Sequence, residues 1–258
     1  MIKKIFLTVN LLLFIALSVS AKDIRFVQVA ESMYTSGNDT LLKKCVDDIN
    51  TLKDVDFVVF TGDNISNAKK ENLKNFLKIA RNLEAPVYII LGDRDVSKGK
   101  GLNKSDYREE CFKYLGLRQS FKSNYVFKKK DMIFIVVDGA KEFATANNGY
   151  YKQNSLNWLD EKLVRYKNKK VVILQHFPLV DSDVHEKNTY KSQMYKDLLE
   201  KHDNVLAIIT GHFGANQEDF LNNIQHFIAP SLSTTSSYKI FDIPESKDFV
   251  YSQLRRVE

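Results

Sequence analysis

Residues 54–64 read DVDFVVFTGDN, and residues 86–95 read PVYIILGDRD. Each stretch contains a continuous apolar run that is soon followed by glycine and aspartate. A run that is apolar at every position is suited to burial on both faces, as in a central strand of a parallel sheet. Four further runs of this kind cover residues 24–30, 132–137, 170–175 and 205–210. We therefore predict six buried strands.

Segments with helical periodicity lie between these runs, at residues 39–52, 67–83, 105–115, 153–166 and 192–202. The alternation of apolar strands and amphipathic helices predicts an α/β layered fold whose central strands are largely parallel. Four more strands, expected to be antiparallel and near the sheet edges, cover residues 123–127, 225–229, 238–243 and 249–254. No repeat or linker divides the chain, which predicts one domain over residues 22–258.

The composition excludes several protein classes. The 258 residues are 44% hydrophobic, with only 10 Gly and 4 Pro, which excludes collagen-like, low-complexity and multi-span membrane proteins. Two cysteines are too few for a disulfide scaffold, so a hydrophobic core must stabilise the fold. Export would permit a disulfide between Cys45 and Cys111, but the sequence does not show whether the two residues approach each other. The formal net charge of +6 comes from scattered basic residues, so we expect no nucleic-acid interface.

The N-terminus has the pattern of a secretory signal peptide over residues 1–21. Lys3 and Lys4 precede an apolar run at residues 5–16, and small residues follow at 19–21. The run is shorter than the ~20 residues that span a bilayer, which favours cleavage over an uncleaved anchor. We therefore expect a periplasmic or secreted protein whose mature form has no membrane anchor.

Four predicted strands end in a carboxylate or an imidazole: Asp63, Asp93, His176 and His212. The carboxyl ends of strands in an open α/β sheet form the crevice where ligands bind. Two aspartates and two histidines that meet there suit zinc, manganese or iron. Each residue alone also fits a turn, a helix cap or a buried histidine, and the hypothesis depends on the set of four.

The motifs Gly62-Asp63, Gly92 to Asp95, His176-Phe177-Pro178 and Gly211-His212 resemble those of calcineurin-like metallophosphoesterases. The resemblance covers essentially the whole chain after residue 21. It is strongest to the exported branch that includes purple acid phosphatases and cyclic-nucleotide phosphodiesterases. It implies a four-layer α/β/β/α sandwich, a metal centre, and a phosphate-ester small molecule as the substrate.

The resemblance implies two metals, but the motif residues match the second metal better than the first. Asp63 takes the place of the bridging carboxylate, and Asp93, where the family has Asn, joins His176 and His212 as ligands of one ion. The first metal should be bound by Asp-x-His and by a second histidine of Gly-His-x-His. Those positions hold Glu31-Ser32-Met33 and Gly214, so Glu31 is the one weak ligand there. We expect one well-held manganese, iron or zinc ion rather than two.

Arg94 stands where the family has a histidine that protonates the leaving group. Arginine can clamp phosphate but does not release a proton near neutral pH. We assign Arg94 as a phosphate clamp, against the alternative of a surface arginine paired with Asp93 or Asp95. His185, in the polar loop after His176, is a second candidate for substrate binding, against the alternative of a solvated loop residue.

Two functions follow from this pattern. One is a metal-dependent phosphoric ester hydrolase of the calcineurin-like type, weak or specialised because the first metal site and the acid histidine are altered. The other is an exported, non-catalytic pseudo-phosphoesterase that binds a metal, a phosphate ligand or a protein partner. A third possibility is an unrelated α/β domain in which the four residues are turns and caps.

Overall fold

The computed structural model describes residues 23–116, 120–143 and 147–258. The predicted signal peptide lies outside these residues. The strands are β1 Ile24–Val29, β2 Phe57–Thr61, β3 Val87–Ile90, β4 Tyr125–Lys129, β5 Met132–Val136, β6 Val171–Leu174, β7 Val205–Thr210, β8 Gln217–Leu221, β9 Ile224–Ile228, β10 Ser237–Ile243 and β11 Tyr251–Arg256. The α-helices are α1 Thr40–Asn50, α2 Lys70–Ala80, α3 Lys104–Leu115, α4 Gln153–Arg165, α5 Gln193–Leu199 and α6 Leu232–Thr235.

The described strands form two sheets, with the orders β11-β10-β1-β2-β3 and β4-β5-β6-β7-β9-β8. Strands β1, β2 and β3 are parallel, and so are β5, β6, β7 and β9. The prediction of largely parallel central strands is confirmed. The prediction for residues 225–229 is confirmed in part, because β9 lies next to the edge strand β8 and pairs with it antiparallel, but β9 pairs parallel with β7 on its other side.

Alternate residues of each buried strand face two different layers. In β2, Phe57 and Val59 face the space between the sheets, whereas Val58 and Phe60 join the layer where the helices pack. The ring of Phe60 lies 5.0 Å from that of Phe76 on α2. This alternation explains why the strands are apolar at every position, and it produces the predicted α/β/β/α sandwich.

Cys45 and Cys111 are both buried and both free in the structure. Burial raises the pKa of each thiol, that of Cys111 to about 12, because the thiolate is poorly solvated there. The structure therefore does not pair the two cysteines. No helix among the described residues has the length and apolar character needed to cross a bilayer.

Candidate metal centre

The carboxyl ends of parallel strands from both sheets meet at one end of the sandwich. Asp63 follows β2 and Asp93 follows β3 in the first sheet, while His176 follows β6 and His212 follows β7 in the second. Each of the four residues comes directly after a Gly or a Gln, and that Gly or Gln directly follows the strand's run of buried residues. The two sheets therefore contribute one pair of acids and one pair of imidazoles.

Hydrogen bonds connect the sheets directly beneath this site. Gln28 of β1 is fully buried and donates from Nε2 to Thr61 Oγ1 at 2.8 Å and to the Thr210 carbonyl at 2.7 Å. Because Thr61 ends β2 and Thr210 ends β7, one amide fixes the spacing between strands of different sheets. A buried uncharged polar residue near the end of the otherwise largely apolar β1 run is the sequence signal that could have identified it.

Asp93, His176 and His212 bring one ligand atom each into a cluster in which all three atoms lie within 4.8 Å of one another. Asp93 Oδ1 lies 3.3 Å from His176 Nε2 and 3.3 Å from His212 Nδ1, and the two nitrogens are 3.2 Å apart. Three of the four predicted strand-end ligands therefore converge. The fourth, Asp63, places Oδ1 3.7 Å from His176 Nε2.

The outer hydrogen bonds of both imidazoles define their tautomers. His176 Nδ1 lies 2.7 Å from the Thr61 carbonyl, and His212 Nε2 lies 3.1 Å from the Lys187 carbonyl. A carbonyl only accepts, so these nitrogens carry the N–H groups, and in the neutral imidazoles the facing nitrogens keep their lone pairs. Two lone pairs and a carboxylate oxygen then point at one another, an arrangement that a cation satisfies. The residues present fit a transition metal.

The charges of the cluster influence one another. Burial opposes ionisation of Asp93, but the protonated form of His176, whose pKa the charges of Asp63 and Asp93 raise to about 9 against burial, acts together with His212 to hold the pKa of Asp93 well below its usual value. Burial, helped by the charges of Asp93 and Asp95, raises the pKa of Asp63. Burial also lowers the pKa of His212, against the attraction of Asp93. A positive charge in the cluster would relieve the repulsion between these carboxylates.

Asp95 is a structural residue of the site that the sequence had suggested only as a partner for Arg94. Its carboxylate is fully buried and accepts four N–H groups: Oδ1 from the backbones of Asn64 (2.8 Å) and Ile65 (3.1 Å), and Oδ2 from the Gly92 backbone (2.8 Å) and the Asn64 side chain (3.0 Å). Asp95 therefore joins the loop after β2 to the loop after β3. A second aspartate in the same short loop was the available signal.

Arg94 pairs with a different acid from those considered in the sequence. Its Nε lies 3.4 Å from Asp63 Oδ2, and its backbone N–H donates to Asp63 Oδ1 at 2.9 Å. The alternative prediction, that Arg94 pairs with Asp93 or Asp95, is therefore wrong about the partner, which is Asp63. The Arg94 side chain stays 51% exposed, so its guanidinium faces solvent beside the metal cluster.

Glu31 reaches the side of the site where the family's second histidine is missing. The residue is 6% exposed, and Oε1 is buried without a hydrogen-bond partner among the described residues. A Cβ atom added to Gly214 would lie 3.7 Å from Glu31 Oε2. The longer carboxylate therefore borders the space that a histidine at 214 would enter, although Glu31 is not in the three-residue cluster.

His185 lies on an exposed turn, His185–Lys187, and its ring makes no contact with the cluster in the part of the chain that the structure describes. The same turn reaches the site through the Lys187 carbonyl, which binds His212. A role for His185 in substrate binding stays a prediction.

The backbone at the site includes several strained residues. Four non-glycine residues have left-handed backbone conformations there: Glu31, Met33, Asp63 and His212, with φ between 46° and 74°. Each such residue costs roughly 1 kcal/mol or more, and strain of this kind persists where the surrounding structure imposes it. These residues therefore keep an unfavourable backbone conformation that places their side chains at the site.

A sequence model of calcineurin-like phosphoesterases matches residues 25–214, which include every residue of the cluster. The chain belongs to this family. Calcineurin-like phosphoesterases act on phosphate esters and depend on metal, in agreement with the cluster.

Two curated relatives are similar to this family member. A probable glycerophosphodiester phosphodiesterase of Arcobacter nitrofigilis is 28% identical over 176 residues, which are 66% of this chain and 61% of the relative. A probable cyclic nucleotide phosphodiesterase of Xenorhabdus bovienii is 26% identical over 193 residues, which are 72% of this chain and 71% of the relative. The chain thus spans less than two thirds of the first relative.

The fold is also that of solved members of the family. A dimetal phosphatase from Danio rerio superposes with a TM-score of 0.65 at 14% identity, covering 91% of this chain and 99% of the other. At this identity the likeness concerns the fold, and it confirms the metallophosphoesterase-type sandwich.

Proposed function

We propose that the protein is a metal-dependent phosphodiesterase whose centre is one transition-metal ion held by Asp93, His176 and His212. The observation that carries the proposal is the convergence of the three ligand atoms within 4.8 Å, with both imidazoles oriented by backbone carbonyls. When bound, the metal would lower the pKa of water and neutralise phosphate oxygens. Both curated relatives carry names of phosphodiesterases, which supports a diester over a monoester.

The residues around the cluster supply additional metal ligands and bind the phosphate. Asp63, whose Oδ1 lies 3.7 Å from His176 Nε2, contributes a further carboxylate, and Glu31 is a weaker ligand on the side of Gly214. Arg94, half-exposed, clamps the phosphate. The arginine at position 94 does not release a proton near neutral pH, so it cannot act as the general acid. The loss of a general acid costs roughly 10²–10⁴-fold in rate. We therefore propose a specialised hydrolase that favours leaving groups which need no protonation.

Hydrolysis of bis(4-nitrophenyl) phosphate tests the proposal, because 4-nitrophenolate leaves without a proton. We expect turnover that depends on added manganese, zinc or iron and that His212→Ala reduces at least 10²-fold. His202→Ala is the matched control, since His202 pairs with Asp160 at 2.6 Å near the opposite end of β7. Equal rates in the wild type and His212→Ala, or turnover without metal, would contradict the proposal.

A non-catalytic role is the second candidate, and a specific observation favours it. Met33, Gly214 and Arg94 all replace residues that the family uses, and Arg94 Nε lies 3.4 Å from the predicted bridging carboxylate of Asp63. Such a pseudo-phosphoesterase would bind a metal, a phosphate ligand or a protein partner. The triple variant Met33→His, Gly214→His, Arg94→His would then gain activity that the parent lacks. Appreciable turnover by the parent would rule this candidate out.

We also propose that the protein is exported, to the periplasm or beyond the cell. The basic, apolar and small-residue segments at residues 1–21 support this proposal. N-terminal sequencing of protein from the native host should begin at Lys22. A mature chain that begins at Met1 would contradict it.

A further inference from the structure

A cavity of about 160 Å³ opens directly beside the metal cluster, on the side of Asp93. Three loops line it. The loop after β2 contributes Asn67, the loop after β3 contributes Asp93, Arg94 and Lys100, and Asn147 comes from the loop after β5. Because Asp93 belongs both to the cluster and to the cavity wall, a group in the cavity would be adjacent to a phosphate at the metal.

The cavity wall carries an excess of positive charge. Asp93 is the one carboxylate on the wall, and as a metal ligand its charge is neutralised by the ion. Arg94 is half-exposed, and the Lys100 ammonium forms no ion pair or hydrogen bond with any described residue. Lys100 is therefore an unpaired cation on the wall of a small polar space. Arg94 is a second cation there, although its Nε also pairs with Asp63 at 3.4 Å, and the amide of Asn67 is a further donor.

The turn that carries Lys100 is held in place by the loop that carries Asn147. The backbone N–H of Lys98 donates to the Glu142 carbonyl at 2.7 Å, and the Lys104 N–H donates to Glu142 Oε2 at 3.0 Å. Within the turn, Ser97 N–H donates to the Leu102 carbonyl at 2.8 Å. The backbone of the turn that carries Lys100 is therefore held in place before a ligand arrives.

We propose that this cavity binds a second anionic group, a carboxylate or a phosphate, on one arm of the substrate. The inference rests on the proposed action on phosphate esters, since it places the reacting phosphorus at the Asp93–His176–His212 cluster. Lys100 pairs with the second anion, Asn67 donates to it, and Arg94 lies between this anion and the reacting phosphate that it clamps. The substrate class is a phosphate ester with an additional negative charge near the ester, in preference to an ester with neutral arms.

Equilibrium binding to the manganese-loaded protein tests the cavity independently of turnover. The probes are glycerol 3-phosphate, whose arm is neutral, 3-phosphoglycerate, whose arm carries a carboxylate, and glycerol 1,3-bisphosphate, whose arm carries a phosphate. We expect the wild type to bind one or both anionic-arm probes about fivefold more tightly than glycerol 3-phosphate, the upper range for a partly exposed ion pair. Lys100→Gln should remove that preference.

Lys98→Gln is the matched control. Lys98 is on the same turn and exposed, but it lies 4.7 Å over the Phe143 ring and does not line the cavity, so the preference should survive. Equal affinity for all three probes, no binding of any probe, or an equal loss in both variants would overturn the inference. A preference that depends on Lys100 in a protein without hydrolytic turnover would support the cavity and refute the proposed hydrolase.

Discussion

Individual glycines decide whether the ligands of this site can approach one another. Gly62 has φ +95°, and a Cβ atom there would lie 2.4 Å from His176 Nδ1 and 2.9 Å from the Gly92 backbone nitrogen. A Cβ atom on Gly92 would lie 2.2 Å from Asp63 Oδ1. Both loops must therefore lack side chains at these positions if the carboxylates and imidazoles are to pack together.

Gly62→Ala should reduce metal affinity by at least tenfold, because the methyl group displaces His176 and breaks its bond to Thr61. Gly37→Ala is the control, since Gly37 has φ +92° with nothing within 4 Å of an added Cβ. Both variants should lose about 1–2 kcal/mol in free energy of unfolding from the left-handed backbone. Calorimetric zinc titration and urea unfolding measure the two effects. Equal metal affinity of the two variants would contradict the steric role of Gly62.

His226 gives the protein a pH-dependent stability unrelated to the metal. It is 4% exposed on β9, and burial lowers its pKa to about 4, against the attraction of Asp219 on β8. The unfolded state therefore binds the proton first, and stability is lost as the pH falls from about 6.5 to about 4. The loss amounts to about 3 kcal/mol from this residue.

The variant His226→Gln should flatten that part of the pH profile. Urea unfolding of wild type and variant at several pH values gives the difference curve, in which other titrating groups cancel. His185→Gln, at an exposed position, should reproduce the wild-type profile. Parallel profiles for the wild type and His226→Gln would show that His226 does not contribute.

At the scale of elements, the loops after β2 and β3 act as one unit because they share Asp95. The carboxylate accepts N–H groups from both loops with all of its oxygen atoms, while burial raises the pKa of Asp95 to about 6. Asn64 also donates from Nδ2 to the Ile90 carbonyl at 2.8 Å at the end of β3. The carboxylates of Asp63 and Asp93 depend on this unit for their position.

Asp95→Asn should destabilise the protein by about 2–3 kcal/mol. In either orientation of the amide, its NH₂ group faces two N–H donors, and at least one of them is a backbone N–H that is then buried without an acceptor. Asp248→Asn, at a carboxylate that is 85% exposed, should change the free energy of unfolding by less than about 0.5 kcal/mol. Chemical denaturation measures both. A loss of similar size in the two variants would contradict the bridging role of Asp95.

At the scale of the whole molecule, aromatic packing between the sheets supports the site. The ring of Phe26 stacks on Phe57 and on Phe241, with centroids 4.8 Å apart in each case, and meets Phe134 of the second sheet edge-on at 5.8 Å. The described residues thus place one ring of β1 in contact with three other strands. This aromatic layer sets the distance between the two sheets. At the site, the hydrogen bonds from Gln28 to Thr61 and Thr210 also hold the sheets at that distance.

Phe26→Ala should cost about 4 kcal/mol in free energy of unfolding, because it leaves a cavity between two sheets that cannot collapse locally. Phe220→Ala, which removes a ring that is 67% exposed on β8, should cost less than about 0.5 kcal/mol. Thermal and denaturant unfolding of both variants checks this prediction. A small loss for Phe26→Ala would show that the inter-sheet layer tolerates voids.

The sequence predicted the elements well where a pattern is local. The apolar runs became β1 to β3 and β5 to β7, and the periodic segments became α1 to α5, because alternation and helical period reflect burial of each segment by itself. Strand β8 was missed, since an edge strand with a half-exposed pattern has no continuous apolar run. The parallel pairing of β9 with β7 was missed because it depends on how β8 connects the two strands in space, which has no local pattern.

The sequence by itself determined which side chains end the strands, and therefore the family and the donor types of Asp93, His176 and His212. The tertiary structure alone decided which nitrogen of each imidazole faces the cluster, that Arg94 pairs with Asp63, and that Lys100 borders the cavity. Tautomers and ion pairs depend on carbonyls and carboxylates that lie tens of residues away in the chain. Those distances exist only after two sheets have packed against each other.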